Sequence, residues 1–215
     1  MAKVIRPYSI GEEICSCLAH GLGILLGIAA TAVLVAFAAC YGDAWGVVSS
    51  AIFGVSMIFM YSASTIYHAI QSEKLKKKLK KLDHIAIYYL IAGSYTPFLL
   101  VSLRGPLGWT MFGIIWGLAV LGTILKLTLS GSGTKIWSIG LYLGMGWMAA
   151  FAFKYLMQAL NPVSLTFLIL GGVSYTLGVL FYIWKSKAYT HAVWHCFVLA
   201  GTVLQFFSML WLFIP

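Results

Sequence analysis

The chain has 215 residues, 61% of them hydrophobic and only 9% charged, with a formal net charge of +9. Soluble domains carry about 25% charged residues, so a soluble fold is excluded and an all-α integral membrane protein is expected. The four cysteines, Cys15, Cys17, Cys40 and Cys196, lie scattered in apolar segments and make no disulfide framework.

A helix that crosses the hydrocarbon core needs about 20 mostly apolar residues. Seven stretches qualify, at roughly 14–40, 46–70, 84–103, 109–127, 136–158, 163–184 and 189–213. They predict one seven-helix transmembrane domain over residues 1–215, and no alternating pattern of the kind a membrane β-barrel needs recurs along the chain. The N-terminal MAKVIRPYSIGEEICS lacks the charged start, apolar core and cleavage site of a secretory signal, so the first span is expected to stay in the mature protein.

The first span carries His20 about two turns in. Such a group either supports a functional site from behind by orienting another side chain, or simply bonds across the bundle. The second span ends in YSASTIYHAI, where Ser64 precedes His68 by one helical turn and projects on the same face. Its hydroxyl can serve a metal-held water or a developing oxyanion; equally, it can bond back to a carbonyl of its own helix, as can Ser62 or Thr65.

The run QSEKLKKKLKKLD separates the second span from the third. Leu75, Leu79 and Leu82 fall at i, i+4 and i+7, so a short helix there can lay an apolar stripe on the interface and turn the lysines of Lys74 to Lys81 toward anionic headgroups. The plainer reading is a topology determinant. Asp83 follows, placed either to accept a proton in a site or to cap the third span. His84 points about 100 degrees away around the helix and is expected at the rim of any site that Asp83 joins. In AGSYTPF, Pro97 is expected to kink the third helix, with Ser94, Tyr95 and Thr96 bonding the backbone groups it frees. Gly140 and Gly144, and also Gly171 and Gly172, are expected at close helix contacts. In the seventh span His191 and His195 stand one turn apart on one face.

Orientation follows from the basic residues, because cytoplasmic loops carry the excess. With the N-terminus inside and the C-terminus outside, twelve of the fourteen Lys and Arg residues fall on the cytoplasmic side, among them Lys3, Arg6, Lys126, Lys135, Lys185 and Lys187; Arg104 and Lys154 alone fall opposite. All five histidines then lie in the cytoplasmic leaflet. Ionisable groups at such depth normally face the bundle interior and mark a functional site. Three neutral imidazoles with one open position are a recurring catalytic zinc arrangement, and His68, His191 and His195 are the expected ligands. Basic residues that border membrane helices without a recognition module do not indicate nucleic acid.

Through GEEICSCLAHGLG, SASTIYHAI, LDHIAIYYLIAGSYTPF and HAVWHCFVLAG the chain resembles the bacterial hemolysin III family, within the progestin and adipoQ receptor superfamily, over nearly its whole length. Members of that family resemble the alkaline ceramidases in carrying Ser-x-x-x-His, an Asp, and His-x-x-x-His on seven helices around zinc; the matching positions here are Ser64, His68, Asp83, His191 and His195. The resemblance implies a zinc-bearing bundle in the bacterial inner membrane, with its site toward the cytoplasm and a role in membrane homeostasis. It does not identify a reaction, and hormone binding is not carried over. Three functions are therefore set against one another. The first is a zinc-dependent intramembrane hydrolase of a lipid amide or ester, with membrane lipids as partners and a fatty acid or acyl-lipid as ligand. The second is a lipid-sensing protein whose zinc is structural. The third is a cytolytic pore, which the scarcity of polar residues in mid-span disfavours.

Overall fold

The computed structural model describes residues 8–129, 133–184 and 186–214, with backbone alone for 133–135. Lys3, Arg6 and Lys185 lie outside the described residues, as does the side chain of Lys135. Among the described residues seven helices are long and apolar enough to cross a membrane: α1 (Ile10–Tyr41), α2 (Ala44–Ala69), α3 (Glu73–Ser102), α4 (Pro106–Thr128), α5 (Ile136–Ala159), α6 (Pro162–Ile183) and α7 (Thr190–Leu210). The all-α seven-helix bundle read from the sequence is the observed fold. Helix α1 packs between α2 and α7, α2 packs on α3, α3 carries α4 and α5, and α6 lies on α7. Leu18, Leu25, Val55 and Phe151 point outward, as lipid-facing side chains do, while Phe53, Met57, Tyr61, Tyr88 and Ile115 fill the interior.

Helix α1 begins four residues earlier than its apolar run. Ser9 and Glu12 form a reciprocal capping box: Ser9 Oγ accepts the Glu12 N–H at 3.3 Å and Glu12 Oε2 accepts the Ser9 N–H at 2.9 Å. The other carboxylate oxygen of Glu12 accepts the backbone N–H of Tyr189 at 2.8 Å. Tyr189 is the residue before α7 and sits in the left-handed region at φ 61°, a conformation that costs a non-glycine residue roughly 1–2 kcal/mol. Thus the buried Glu12 ties the start of α1 to the start of α7, two residues before His191.

The lysine run is not a loop. Residues from Glu73 onward are helical and continuous with the third span, so Leu75, Leu79 and Leu82 lie on the first turns of α3 rather than on a separate interfacial helix. Asp83 consequently stands ten residues inside the helix and is buried, which rules out its capping role. Most of the lysines are exposed, but Lys76 turns inward: its ammonium lies 2.8 Å from Glu13 Oε1, donates to the Ile70 carbonyl and covers the Tyr67 ring.

At Pro97 the helix widens into a π turn over Phe98–Ser102, closed by the Leu103 N–H to the Phe98 carbonyl at 2.9 Å. Ser94 and Thr96 bond carbonyls of their own helix, those of Ile91 and Ala92. Tyr95 does something else. Its hydroxyl donates to the Gly146 carbonyl at 2.6 Å and accepts the Ala149 N–H at 2.9 Å, where α5 tightens into a 3-10 segment over Trp147–Ala152. The irregularity in α5 is thereby satisfied by a side chain from the helix it packs on. At the opposite end of the bundle from the lysines, Arg104 pairs with Asp43 at 2.6 Å. Asp43 also caps α2, and the Gly46 N–H followed by the Arg104 guanidinium holds its carboxyl below the usual range.

The glycine expectations divide. A Cβ at Gly54 on α2 would stand 2.1 Å from Thr31 Oγ1 on α1, and one at Gly171 on α6 would stand 2.7 Å from Gln205 Nε2 on α7. At Gly140, Gly144 and Gly172 a Cβ meets nothing within 4 Å among the described residues. Those three do not lie at close helix contacts; small residues at a four-residue spacing permit an interface without specifying which way it faces.

Two outcomes are expected from thermal unfolding in detergent. Gly54→Leu should destabilise by about 1–3 kcal/mol through overpacking, whereas Gly140→Leu should leave the midpoint where it is. Glu12→Ala should cost about 1–3 kcal/mol, because it strips the acceptor from two backbone N–H groups, with Glu12→Gln showing a smaller loss.

Candidate metal centre

His68 comes from the last turn of α2 and His191 and His195 from the first two turns of α7. Because α1 packs against both helices, the three rings meet in the groove behind it. One ring nitrogen from each lies within 4.8 Å of those from the other two, close enough to hold one metal ion. Ring centroids are 4.9 Å apart for His68 and His195, 4.6 Å for His191 and His195, and 5.3 Å for His68 and His191. The Nε2 atoms of His68 and His195 are 3.1 Å apart. Two imidazole nitrogens on a tetrahedral zinc, each at 2.0–2.1 Å, would stand about 3.3 Å from one another, so the three imidazoles fit such an ion in kind and the His68–His195 pair fits it in spacing.

Each of these rings is braced. His68 Nδ1 lies 2.5 Å from Glu13 Oε2, and Glu13 is held in turn by Lys76. His195 Nδ1 lies 2.7 Å from His20 Nε2. His191 is stacked by Tyr8 at 4.6 Å between centroids with an interplanar angle of 17°, and Trp194 lies 4.9 Å away on its own helix. Burial, reinforced by the nearby Tyr182 and Glu13, pushes the Tyr8 phenol well above its ordinary pKa, so it stacks as a neutral ring.

Ser64 is fully buried one turn before His68. It closes no bond to a carbonyl of its own helix; its Oγ faces the Asp83 carboxyl, the partner within its reach. His68 and Lys80 also lie near Asp83. Together with His84, His191, Tyr8, Tyr67, Tyr182 and Lys80, it lines a cleft at the lysine-bearing end of the bundle. His84 stands at the wall of that cleft, its backbone carbonyl accepting from the Tyr142 hydroxyl at 2.7 Å. The structure therefore brings His68, His191 and His195 together, with Ser64 one turn before His68 and Asp83 facing Ser64.

His20 does bond across the bundle, but its partner is one of the three grouped imidazoles. Glu13 escaped the sequence reading, which placed it before the first span. The signal was present, since Glu13 and His20 are seven residues apart and so share a helix face.

A sequence profile described as Haemolysin-III related matches residues 8–206 of the chain. The hemolysin-3 homolog of Bacillus subtilis is 46% identical over 203 residues, covering 94% of this chain and 95% of that protein. Hemolysin-3 of Bacillus cereus is 42% identical over 206 residues, covering 96% and 94%. The monocyte to macrophage differentiation factor of Homo sapiens is 29% identical over 206 residues, covering 92% of this chain and 83% of its own length. With seven membrane-spanning helices and these matches along nearly its full length, the chain is a multi-pass integral membrane protein that belongs to the haemolysin III family.

Proposed function

We propose that the protein is a zinc-dependent intramembrane hydrolase of a lipid amide or ester, with a role in membrane homeostasis and its site facing the cytoplasm. The observation that carries this reading is the convergence of His68, His191 and His195 beside two buried groups, Ser64 and Asp83, that face each other and have chemistry to offer. A bare structural metal needs only the imidazoles.

When bound, zinc supplies a Lewis acid that polarises a carbonyl and brings the pKa of water to about 7. The chain's own residues do the rest. Asp83, on the wall of the cleft, accepts a proton from the attacking water and returns it to the leaving amine or alcohol. Ser64, which faces Asp83, donates its hydroxyl to the charge that develops on the carbonyl oxygen. The phenols of Tyr8, Tyr67 and Tyr182 line the approach to Asp83 and offer donors to a lipid headgroup. The exposed lysines on the first turns of α3 hold anionic headgroups around the entrance. An acyl chain enters sideways from the membrane, because the groups of the cleft lie at one end of the bundle rather than along a polar path through it.

Metal content of protein purified in detergent should be about one zinc per chain and should fall away in His68→Ala and His191→Ala. Asp83→Asn should keep the metal yet lose about 10²–10⁴-fold of fatty-acid release from a panel of acyl amides and esters. Full release by Asp83→Asn, or by a variant carrying both His191→Ala and His195→Ala, would overturn the hydrolase reading. The orientation is checked separately by a reporter fused at the C-terminus, which should be active only outside the cytoplasm.

A further inference from the structure

The metal reading accounts for Ser64, Asp83 and three histidines but leaves the half-buried Glu13 and the buried His20 of α1 without a task. Glu13 and His20 present one face to the groove where α2 and α7 meet, and each touches the Nδ1 of a different imidazole. We propose that Glu13 and His20 are positioning residues that set the tautomers of His68 and His195, so that both Nε2 lone pairs face the same point. The proposal rests on the metal reading of the histidine group.

The argument is one of donors and acceptors. A neutral imidazole carries one N–H and one lone pair. Glu13 is a carboxylate, held by the Lys76 ammonium at 2.8 Å, and can only accept. The proton of His68 must therefore sit on Nδ1, which leaves a lone pair on Nε2. That lone pair looks at His195 Nε2 across 3.1 Å, a contact that allows two arrangements. Without a cation, His195 carries its proton on Nε2, donates it to His68, and accepts at Nδ1 from His20 Nε2. With a cation, His195 Nε2 must offer a lone pair as well, so its proton moves to Nδ1 and is donated to His20 Nε2. His20 then carries its own proton on Nδ1, an atom with no hydrogen-bond partner among the described residues.

The two arrangements contain the same number of protons. His20 acts as the reversible end of a relay that runs Glu13, His68, His195, His20, able to donate to His195 in one state and to accept from it in the other. An imidazole does both from a single atom, Nε2, by changing tautomer. A carboxylate at this position could only accept and an ammonium could only donate. Glu13, by contrast, never needs to change, because the His68 tautomer is the same in both states.

The full chain, stripped with a chelator in detergent, is titrated with zinc in competition with a chromophoric chelator. His20→Leu, which fills the space without an acceptor, and Glu13→Gln, which removes the charge behind His68, should each weaken zinc binding by about 10–100-fold. His20→Gln, whose amide can both donate and accept, should stay close to the wild type. His20→Leu also leaves the buried His195 Nδ1 without its donor in the metal-free chain, so the separation of positioning from a merely structural role rests on His20→Gln, which should keep both the affinity and the metal-free unfolding midpoint. Wild-type affinity in His20→Leu and Glu13→Gln overturns the proposal, as does equal weakening in His20→Leu and His20→Gln accompanied by lower metal-free midpoints. A wild-type chain that binds no zinc overturns both this proposal and the metal reading. Zinc binding that these variants leave unchanged overturns only the proposal.

Discussion

Two imidazole nitrogens facing each other inside a membrane bundle are the constraint around which the rest is arranged. The 3.1 Å approach of the His68 and His195 Nε2 atoms is tolerable only if a proton or a cation lies between them, since buried polar groups without partners are costly. The rings cannot rotate away to relieve the contact. Glu13 holds one from behind and His20 the other, and both holders come from α1. That helix is therefore less a membrane anchor than the back wall of the site. Its long first turns, its capping box and the Glu12 contact to Tyr189 all fix where that wall stands relative to α7.

The haemolysin III family name speaks of lysis, yet the chemistry of this bundle is concentrated at one end. Serine and threonine hydroxyls deeper in the helices mostly close bonds with nearby carbonyls, as Ser56, Thr123 and Ser164 do, and so are spent on the fold. Ser64 and Asp83, beside the histidines, face each other instead. The charged segment of α3 runs directly into Asp83 without a break.

How much of this the sequence disclosed depended on whether a residue declared its face. His191 and His195 did, because four residues on a helix is one turn, and His68 followed from its depth in a neighbouring span. Glu13 did not, because hydropathy alone begins the first span after it; the Ser9 and Glu12 capping pair marks the true start, at Ile10, four residues before that boundary. The start of the third span was misplaced for the same reason. Six lysines lower the local hydropathy enough to resemble a loop, although the leucines among them keep helical spacing. Gly140 and Gly144 failed differently. Their pattern is a statement about volume, and volume alone carries no direction, so only the packed bundle shows that α5 turns these glycines outward.

The docking of Tyr95 on the tightened segment of α5 has an evolutionary corollary. One hydroxyl completes two backbone groups that a regular helix would pair internally, so the irregular turn and the phenol form a single inherited unit. Among relatives of this chain, a lineage that replaces the tyrosine by phenylalanine should also have straightened the fifth helix, and the two characters should be gained and lost together.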